Sequence, residues 1–411
     1  MTKGQRYREI LAVLARRGVG VVDDELIKHE AGDQARAEQL RRTFEELGTT
    51  FIKLGQVLST RSDLLPEVYR AELVKLQDNV PALPENVIAD VIREDLKAPP
   101  DKIFSFFELV PLGSASIAQV HAARLFDGRD VVVKVRKPGV AELVRVDLEI
   151  VAGLVDGWSR RFPVLNDYDA HGLVAEFSDT LKAELNYTRE AANVKLFHDM
   201  FKNEIGFKIP GVVEEYSRNR VLTEERVDGR KASDIVDLPV PRRATIARRI
   251  VRFVLEPAFE RGIFHADPHP GNLLLQENDT LGVIDFGKVG HLTPEQRRRV
   301  ADIFIAIDRS DAERLTDRLI EITTPAHPID RALVTSEVDR MLRLYVGNAE
   351  LKEVRFGDAF GELLQLGRRH RLRVPGNLVQ FFKTLAMSEG LLLKIHPESS
   401  FPIICGQWPE N

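Results

Sequence analysis

Several features that would assign this chain to a familiar class are missing. The 411 residues include a single cysteine, Cys405, which excludes internal disulfides and zinc sites built from several cysteines. No apolar run approaches the roughly 18 residues of a membrane-spanning helix. The 58 Lys and Arg residues do not outnumber the 63 Asp and Glu residues, so the basic excess typical of nucleic-acid binders is absent. These absences indicate a protein of a reducing, cytoplasmic compartment that does not bind nucleic acid.

The composition and the periodicity describe a mixed helical and strand-containing protein. Hydrophobic residues make up 44% and charged residues 29%, as in ordinary globular proteins, and the length predicts two to three domains. Helical spacing dominates the first 100 or so residues, and Asp127-Gly128 then marks a hairpin between β-branched runs. Further along, we predict long helices at 139–161 and 168–200, strands at 212–216 and 220–227, and a hairpin around 277–279 within a helical remainder.

The strongest chemical signal lies in two neighbouring motifs. His265-Ala-Asp267 is followed by Asn272, five positions after the aspartate, and then by Asp285-Phe-Gly at the end of an apolar run. This order and spacing are those of a protein-kinase catalytic loop and its magnesium-binding motif. Phosphoryl transfer needs a carboxylate at the attacking hydroxyl and oxygen ligands for Mg²⁺. We therefore predict Asp267 as the catalytic carboxylate and Asn272 and Asp285 as metal ligands.

Upstream, one lysine interrupts a β-branched strand. Lys134 follows three valines, and in a kinase a lysine at this position contacts the α- and β-phosphates. The preceding loop lacks the GxGxxG pattern, and no Walker A sequence is present. Its small residues still allow a backbone to approach phosphates, so we predict a nucleotide-binding loop at Gly113, Ser114, Ala115 and Ser116.

The residues alone leave blander interpretations open. Lys134 also fits a surface position on an alternating strand, and small residues also suit a tight turn between strands. His265 and His269 also fit hydrogen-bonding roles in a loop, with Asp267 as a turn or cap residue. A transition-metal site formed by these two histidines and Asp267 is a further alternative.

These motifs, together with a KxGQ sequence near the N-terminus, resemble the UbiB/AarF family of atypical kinases. The KxGQ residues are Lys53, Gly55 and Gln56, and the resemblance extends from about residue 40 to about residue 395. It implies an α+β, protein-kinase-like two-lobed fold with an N-terminal helical extension. The implied domains are the extension at 1–104, a small lobe with inserted long helices at 105–228, and a helical lobe at 229–411 that contains the catalytic loop.

The resemblance also implies roles for individual residues. Lys134 is expected to pair with Glu190, and Lys53 to project into the active-site cleft towards Glu184, where the family has an ExD motif. If the stretch is one helix, Glu184 and Glu190 leave it on different faces. The segment from Glu225 to Val227 falls at the lobe-connecting hinge that would contact adenine.

Two positions depart from the family pattern. Asn186 stands where the ExD motif has its aspartate, which removes one negative charge. Glu224 stands before the hinge, where these proteins tend to carry an apolar residue. Both departures leave nucleotide binding expected and the catalytic rate open.

The resemblance implies ATP or ADP with Mg²⁺ as cofactors and a role in isoprenoid-quinone (ubiquinone) or prenyl-lipid metabolism. The expected substrate is a small molecule or lipid, and biosynthetic enzymes are expected partners. A nucleotide-switched pseudokinase scaffold is the alternative, and a small-molecule phosphotransferase a second one. Because the family often ends in an apolar membrane tail, the sequence FPIICGQWPEN leaves peripheral membrane association open.

Overall fold

A computed structural model gives the fold of most of the chain. The structure describes residues 2–17, 34–59, 65–76, 80–161, 170–325, 328–345, 356–370 and 372–397. Residues 398–411, which include the sequence FPIICGQWPEN considered above, lie outside the described residues, and so do residues 162–169, which include the predicted start of the second long helix.

The chain forms two compact units. Unit 1 comprises Met1–Ala192 and Val212–Arg226, and unit 2 comprises Asn193–Gly211 and Val227–Asn411. The first 104 residues therefore share a unit with the strands that follow them, and the three-part domain division above stays a prediction.

Helices make up much of unit 1. They are Lys3–Arg16 (α1), Gln34–Leu47 (α2), Thr49–Ser59 (α3), Glu67–Leu73 (α4), Glu85–Leu96 (α5), Pro100–Ile103 (α6), Val140–Arg161 (α7) and Ala170–Glu184 (α8). Apolar residues of α1 to α4 pack with Val146 and Ile150 of α7. The buried Arg6 joins α1 to α7, because its Nε donates to Asp147 Oδ1 at 2.7 Å. The N-terminal helices are thus tied to the first long helix after the strands.

The sheet of unit 1 is antiparallel and five-stranded. Its strands are Phe104–Phe107 (β1), Gly113–Ser114 (β2), Ala118–Leu125 (β3), Asp130–Arg136 (β4) and Val221–Glu225 (β6). The order is β1-β3-β4-β6, and β2 pairs with β3. The predicted turn at Asp127-Gly128 joins β3 to β4, and Gly128 has the positive φ of 90° that favours glycine there.

The two faces of β4 differ in burial. Val131, Val133 and Val135 are fully buried in a core that includes Ile88 and Ile92 of α5. The alternate residues Val132 and Lys134 lie on the opposite face and are only partly buried. Because side chains alternate along a strand, the α5 core directs Lys134 to the more open face.

The predicted helix at 168–200 is wrong in one respect. Helix α8 ends at Glu184, and a separate helix, Tyr187–Phe201 (α9), begins after a break at Leu185 and Asn186. Helix α9 starts in unit 1 and ends in unit 2. The apolar spacing continues through the break, so periodicity alone did not reveal it. The angular argument for Glu184 and Glu190, which assumed one helix, therefore does not apply.

The predicted strand at 212–216 is also wrong. Val212 makes only an isolated bridge to Glu224, and Glu214–Tyr216 is a 3₁₀ turn. The hydroxyl of Ser217 donates to the Val213 carbonyl at 2.8 Å and stabilises this turn instead of a strand ladder.

Unit 2 is mainly helical and contains short strands. Its helices are Val240–Glu256 (α10), Pro294–Asp308 (α11), Ala312–Ile322 (α12), Arg331–Tyr345 (α13), Phe356–Arg369 (α14) and Gly376–Ile395 (α15), and a π turn, Pro257–Arg261, follows α10. Its strands are Phe207–Lys208 (β5), Arg230–Lys231 (β7), Ile263–His265 (β8), Leu273–Leu275 (β9), Leu281–Val283 (β10), Val289–His291 (β11), Thr324–Pro325 (β12) and Leu372–Arg373 (β13).

The strands of unit 2 position the two kinase-like motifs. Strands β9 and β10 form the predicted hairpin in a sheet of order β5-β10-β9-β7, and Asn278 and Asp279 in its turn have positive φ. A separate antiparallel pair joins β8 to β11, with His265 opposite Val289. Strand β8 leads into the segment with Asp267, and β10 into the segment with Asp285, so each motif follows the end of a short strand.

Candidate active-site residues

Lys134 and Glu190 lie together in unit 1. The Lys134 Nζ is 2.5 Å from Glu190 Oε1, and side-chain exposures of 14% and 7% place the pair away from bulk water. Glu190 lies in the first turn of α9, which turns its carboxylate towards β4. The expected pairing is therefore present, while the phosphate role of Lys134 stays a prediction.

The KxGQ residues lie on helix α3 of unit 1. The Lys53 Nζ is 3.4 Å from Glu184 Oε2, so this expected pair is also present. Gly55 lies where α3 packs against its neighbours, and an added Cβ would overlap Leu76 and Phe44. Gln56 donates from Nε2 to the Leu76 carbonyl at 3.4 Å. Gly55 and Gln56 thus have structural contacts here, whatever further role they have.

Asn186 caps a helix in this structure. Its Oδ1 accepts from the Thr188 backbone N–H at 3.1 Å, and its carbonyl accepts from the N–H groups of Arg189 and Glu190. Asparagine and aspartate are about equally good at this cap position. Asn186 in place of the motif's aspartate therefore preserves the start of α9, and with it the position of Glu190.

The predicted nucleotide-binding loop is a tight turn between β2 and β3. The Ala115 N–H donates to the Ala118 carbonyl at 2.8 Å, and the Ser114 hydroxyl accepts from Lys137 Nζ at 3.0 Å. Ser116 is 4% exposed, so its side chain faces inward. Gly113 does not use a positive φ, and an added Cβ there would meet no atom within 4 Å. The turn does not depend on glycine, which explains how the chain forms it without GxGxxG.

The predicted hinge coincides with the point where the chain leaves unit 1. Glu225 pairs with Val131 at the end of β6, and the Arg226 N–H donates to the Asp130 carbonyl at 3.0 Å. Val227 is the first residue of the following segment of unit 2. Its side chain is buried beside Gly282. The adenine contacts of Glu225 and Val227 stay a prediction.

In unit 2, both ring nitrogens of His265 are engaged by backbone groups. Nε2 donates to the Asp285 carbonyl at 2.7 Å, and Nδ1 accepts from the Asp267 N–H at 3.2 Å. The ring therefore ties the catalytic-loop segment to the Asp285 segment. A transition-metal site that uses His265 would break one of these bonds, so the geometry disfavours that alternative.

Asn272 is held against the backbone of Asp267. Its Nδ2 donates to the Asp267 carbonyl at 3.2 Å, and its own carbonyl accepts from the Ile284 N–H at 2.9 Å. Because the amide nitrogen is the donor, the amide oxygen is the atom left for a cation. Asn272 therefore joins the segments of Asp267 and Asp285 and fits the ligand role predicted for it.

Asp285 adopts a backbone conformation that is uncommon for aspartate. Its φ is 67°, and its Oδ1 accepts from the Gly287 N–H at 3.1 Å. A left-handed conformation at a residue other than glycine is mildly strained and is often found at functional sites. The next residue, Phe286, is fully buried against His265 and Phe197, with ring centroids 5.2 Å away in both cases. This packing of Phe286 fixes the backbone next to Asp285.

Helix α15 brings a lysine to Asp267 that sequence reasoning missed. Phe381 packs edge-on against Phe264 at 5.1 Å, and the Thr384 hydroxyl meets the His265 carbonyl at 3.5 Å. Between them on this helix, Lys383 is half-buried. Burial lowers the pKa of Lys383, the negative charge of Asp267 opposes this, and the positive charge of Lys288 lowers the pKa further. In the sequence, Lys383 follows two phenylalanines in a mostly apolar helix, and a long side chain that extends its charge to solvent is the ordinary interpretation of such a position.

Unit 2 offers oxygen donors for Mg²⁺, and unit 1 offers a cation for phosphate. Asp285 and Asn272 offer hard oxygen ligands of the kind that Mg²⁺ prefers, and these two residues lie on segments joined by backbone hydrogen bonds. Lys134 offers an ammonium group for phosphate oxygens. The residues present therefore fit the cofactors implied by the sequence.

Comparisons with known proteins place this arrangement in a family. A model described as the ABC1 atypical kinase-like domain matches residues 75–319, and one described as the UbiB helical domain matches residues 338–400. The chain belongs to this family of UbiB-type atypical kinase-like proteins. The predicted family and the kinase-like α+β fold are thus confirmed. Lys53, Gly55 and Gln56 precede the matched kinase-like domain, whereas Lys383 lies within the matched helical domain.

Individual relatives of this UbiB-type chain extend over most of its length. A probable protein kinase UbiB of Marinobacter nauticus is 34% identical over 376 residues, covering 89% of this chain and 68% of that protein. An uncharacterized Clostridium pasteurianum protein is 32% identical over 399 residues, covering 96% of this chain and 74% of that protein. Among solved structures, the Mycobacterium tuberculosis protein Rv3197 in complex with erythromycin matches with a TM-score of 0.62 and 26% identity, covering 88% of this chain and 92% of that one.

In the residues that the structure describes, no helix is both long and apolar enough to cross a membrane.

Proposed function

We propose that this protein binds ATP with Mg²⁺ and transfers or hydrolyses its γ-phosphoryl group. The observation that supports this most is the hydrogen-bonded arrangement of Asp267, Asn272 and Asp285 in a chain of the kinase-like family. Lys134, paired with Glu190, supplies the positive charge for the phosphates.

Each residue has a defined task in this proposal. Asp267 orients the attacking hydroxyl or water and accepts its proton, as the corresponding carboxylate does in kinases. Asn272 and Asp285 hold Mg²⁺, which neutralises charge on the phosphates when it is bound. The turn at Gly113–Ser116 covers the phosphates, and the segment from Glu225 to Val227 contacts the base. Lys53 lies on the KxGQ helix and pairs with Glu184, and its ammonium group takes part in the same phosphoryl transfer.

The acceptor that we favour is a small molecule or lipid of isoprenoid-quinone or prenyl-lipid metabolism. The support is membership in the UbiB-type family, together with the KxGQ motif by which the sequence resembles that family. Biosynthetic enzymes as partners and a peripheral location at the membrane belong to the same proposal.

Nucleotide binding is tested by calorimetric titration of ADP in Mg²⁺ and in EDTA. We expect binding by the wild type that Mg²⁺ strengthens, and an Asp285→Asn variant that has lost most of the Mg²⁺ effect. An exposed carboxylate of unit 1, Glu142, provides a Glu142→Gln control that should match the wild type. A folded wild type that binds no nucleotide at millimolar concentration would overturn the proposal.

A second candidate is a nucleotide-switched pseudokinase that assembles other enzymes. It is favoured by one observation, namely that Lys134 lies against a second carboxylate, Glu224, at 3.3 Å. This candidate predicts nucleotide binding without turnover. Equal phosphate release by the wild type and Asp285→Asn, with ADP binding retained, would favour it over the enzyme.

A further inference from the structure

Glu224 is a buried carboxylate on the same sheet face as Lys134. In the β4–β6 ladder, Lys134 is opposite Leu222 and Val132 is opposite Glu224. Opposed residues of an antiparallel pair project to the same face, and so do residues two apart on one strand. Glu224 is nevertheless only 2% exposed. A carboxylate therefore occupies a dry position on the face from which Lys134 projects.

Lys134 is shared by two carboxylates. Its Nζ is 2.5 Å from Glu190 Oε1 and 3.3 Å from Glu224 Oε2. With all three groups ionised, the cluster has a net charge of −1, whereas Lys134 with Glu190 alone is neutral. A negative cluster repels an approaching phosphate, and the repulsion is strong because these side chains are largely shielded from water.

The surroundings of the second carboxylate oxygen of Glu224 indicate that this residue does not stabilise the fold. Among the described residues, no hydrogen-bond partner reaches the buried Oε1. A buried carboxylate with an unsatisfied oxygen destabilises a fold, and an apolar side chain of similar size is usually tolerated as well or better. Local violations of this kind are expected mainly where function requires them.

We propose that Glu224 competes with nucleotide phosphate for Lys134 and thereby selects nucleotides that arrive complexed with a divalent cation. This inference rests on the proposed function, because it assumes that Lys134 contacts phosphate. A metal-free polyphosphate brings more negative charge to the cluster than its Mg²⁺ complex does. The carboxylate of Glu224 therefore penalises the metal-free ligand more.

The experiment is calorimetric titration of ADP into the full chain, in Mg²⁺ and in EDTA. The isosteric Glu224→Gln variant removes the charge, and Glu224→Met provides a second neutral side chain in case the first fails to fold. Glu142→Gln, an exposed carboxylate on α7, is the surface control. Thermal unfolding without nucleotide checks that the variants remain folded and at least as stable as the wild type.

We expect both Glu224 variants to bind ADP at least about fivefold more tightly in EDTA, with a clearly smaller gain in Mg²⁺, an effect that ordinary Coulomb repulsion between buried charges allows. Glu190→Gln is expected to weaken ADP binding instead, because Glu190 is the nearer partner and holds the Lys134 side chain in place. Binding by the Glu224 variants that equals or falls below that of the wild type would overturn the competition and leave the proposed function intact. An equal gain in ADP affinity in Mg²⁺ and in EDTA would overturn the proposed selection for metal-bound nucleotides. Absence of binding in the wild type and in every variant would overturn both.

Discussion

The two units hold their candidate functional side chains in opposite ways. In unit 1, Lys134 and Lys53 each lie against a carboxylate, and Lys134 lies against two. In unit 2, the segments of Asp267 and Asp285 are held by His265 and Asn272 through backbone carbonyl and N–H groups. Unit 1 thus positions cations by charge pairing, whereas unit 2 positions its oxygen ligands by hydrogen bonds between side chains and the backbone. Under the proposed function, this difference suits unit 1 to phosphate binding and unit 2 to metal binding and catalysis.

The largest expected effect is a separation of nucleotide binding from catalysis, since Lys134 lies in unit 1 and Asp267 in unit 2. Asp267→Asn should lower phosphate release by about 10³-fold, the usual scale for a catalytic acid or base, with ADP affinity changed less than about twofold. Lys134→Met should instead weaken ADP binding, since it removes the phosphate cation. Calorimetry and a phosphate-release assay on both variants check this. Loss of ADP affinity in Asp267→Asn with turnover per bound nucleotide preserved would contradict the division of roles.

The next effect tests whether the KxGQ glycine is a packing residue of unit 1. Gly55→Ala should cost about 1–3 kcal/mol of unfolding free energy, because the added methyl group overlaps Leu76 and Phe44. The matched control is Gly153→Ala in α7, where an added Cβ meets nothing within 4 Å. This control should stabilise the chain by about 0.5–1 kcal/mol. Urea unfolding of both variants measures the difference, and equal behaviour of the two would show that Gly55 is not needed for packing.

A smaller effect concerns the buried lysine of unit 2. Because burial lowers the pKa of Lys383, the folded state binds fewer protons than the unfolded state between that lowered pKa and about 10.4. Wild-type stability should therefore rise relative to Lys383→Met as the pH increases through this window, by less than about 1 kcal/mol because the group is only half-buried. Urea unfolding from pH 7.5 to 10 measures this, with Lys394→Met at the exposed end of the same helix as the control. Parallel pH profiles for wild type and Lys383→Met would mean that the lysine is solvated.

The smallest effect measures the charge pairing that distinguishes unit 1. A double-mutant cycle on Lys53→Met and Glu184→Gln should give a coupling free energy of about 0.5–1 kcal/mol, since both side chains are largely buried. The exposed pair of Arg124 and Asp130 on the sheet of the same unit is the control, with an expected coupling below about 0.5 kcal/mol. Equal couplings for the two pairs would show that the buried pair of unit 1 is no stronger than a surface ion pair.

Local patterns revealed more of this molecule than long-range packing did. The hairpin around Asn278 and the order of Asp267, Asn272 and Asp285 follow from short spacings, so the sequence predicted them directly. The break at Asn186 was missed because apolar periodicity continues across it, and the hydrogen bonds that Asn186 accepts from the N–H groups of the next helix show the new helix start. Lys383 lies more than 100 positions after Asp267, and its approach depends on how α15 packs against β8, which no local pattern encodes.

The central claim, ATP-dependent phosphoryl transfer with Mg²⁺, is tested most directly by phosphate release from ATP by the wild type and Asp285→Asn in the same preparation. The account predicts release by the wild type that requires Mg²⁺ and falls by at least about 100-fold in the variant, because the carboxylate that holds the metal is lost. Equal release by the two proteins, or release that persists unchanged in EDTA, would contradict it.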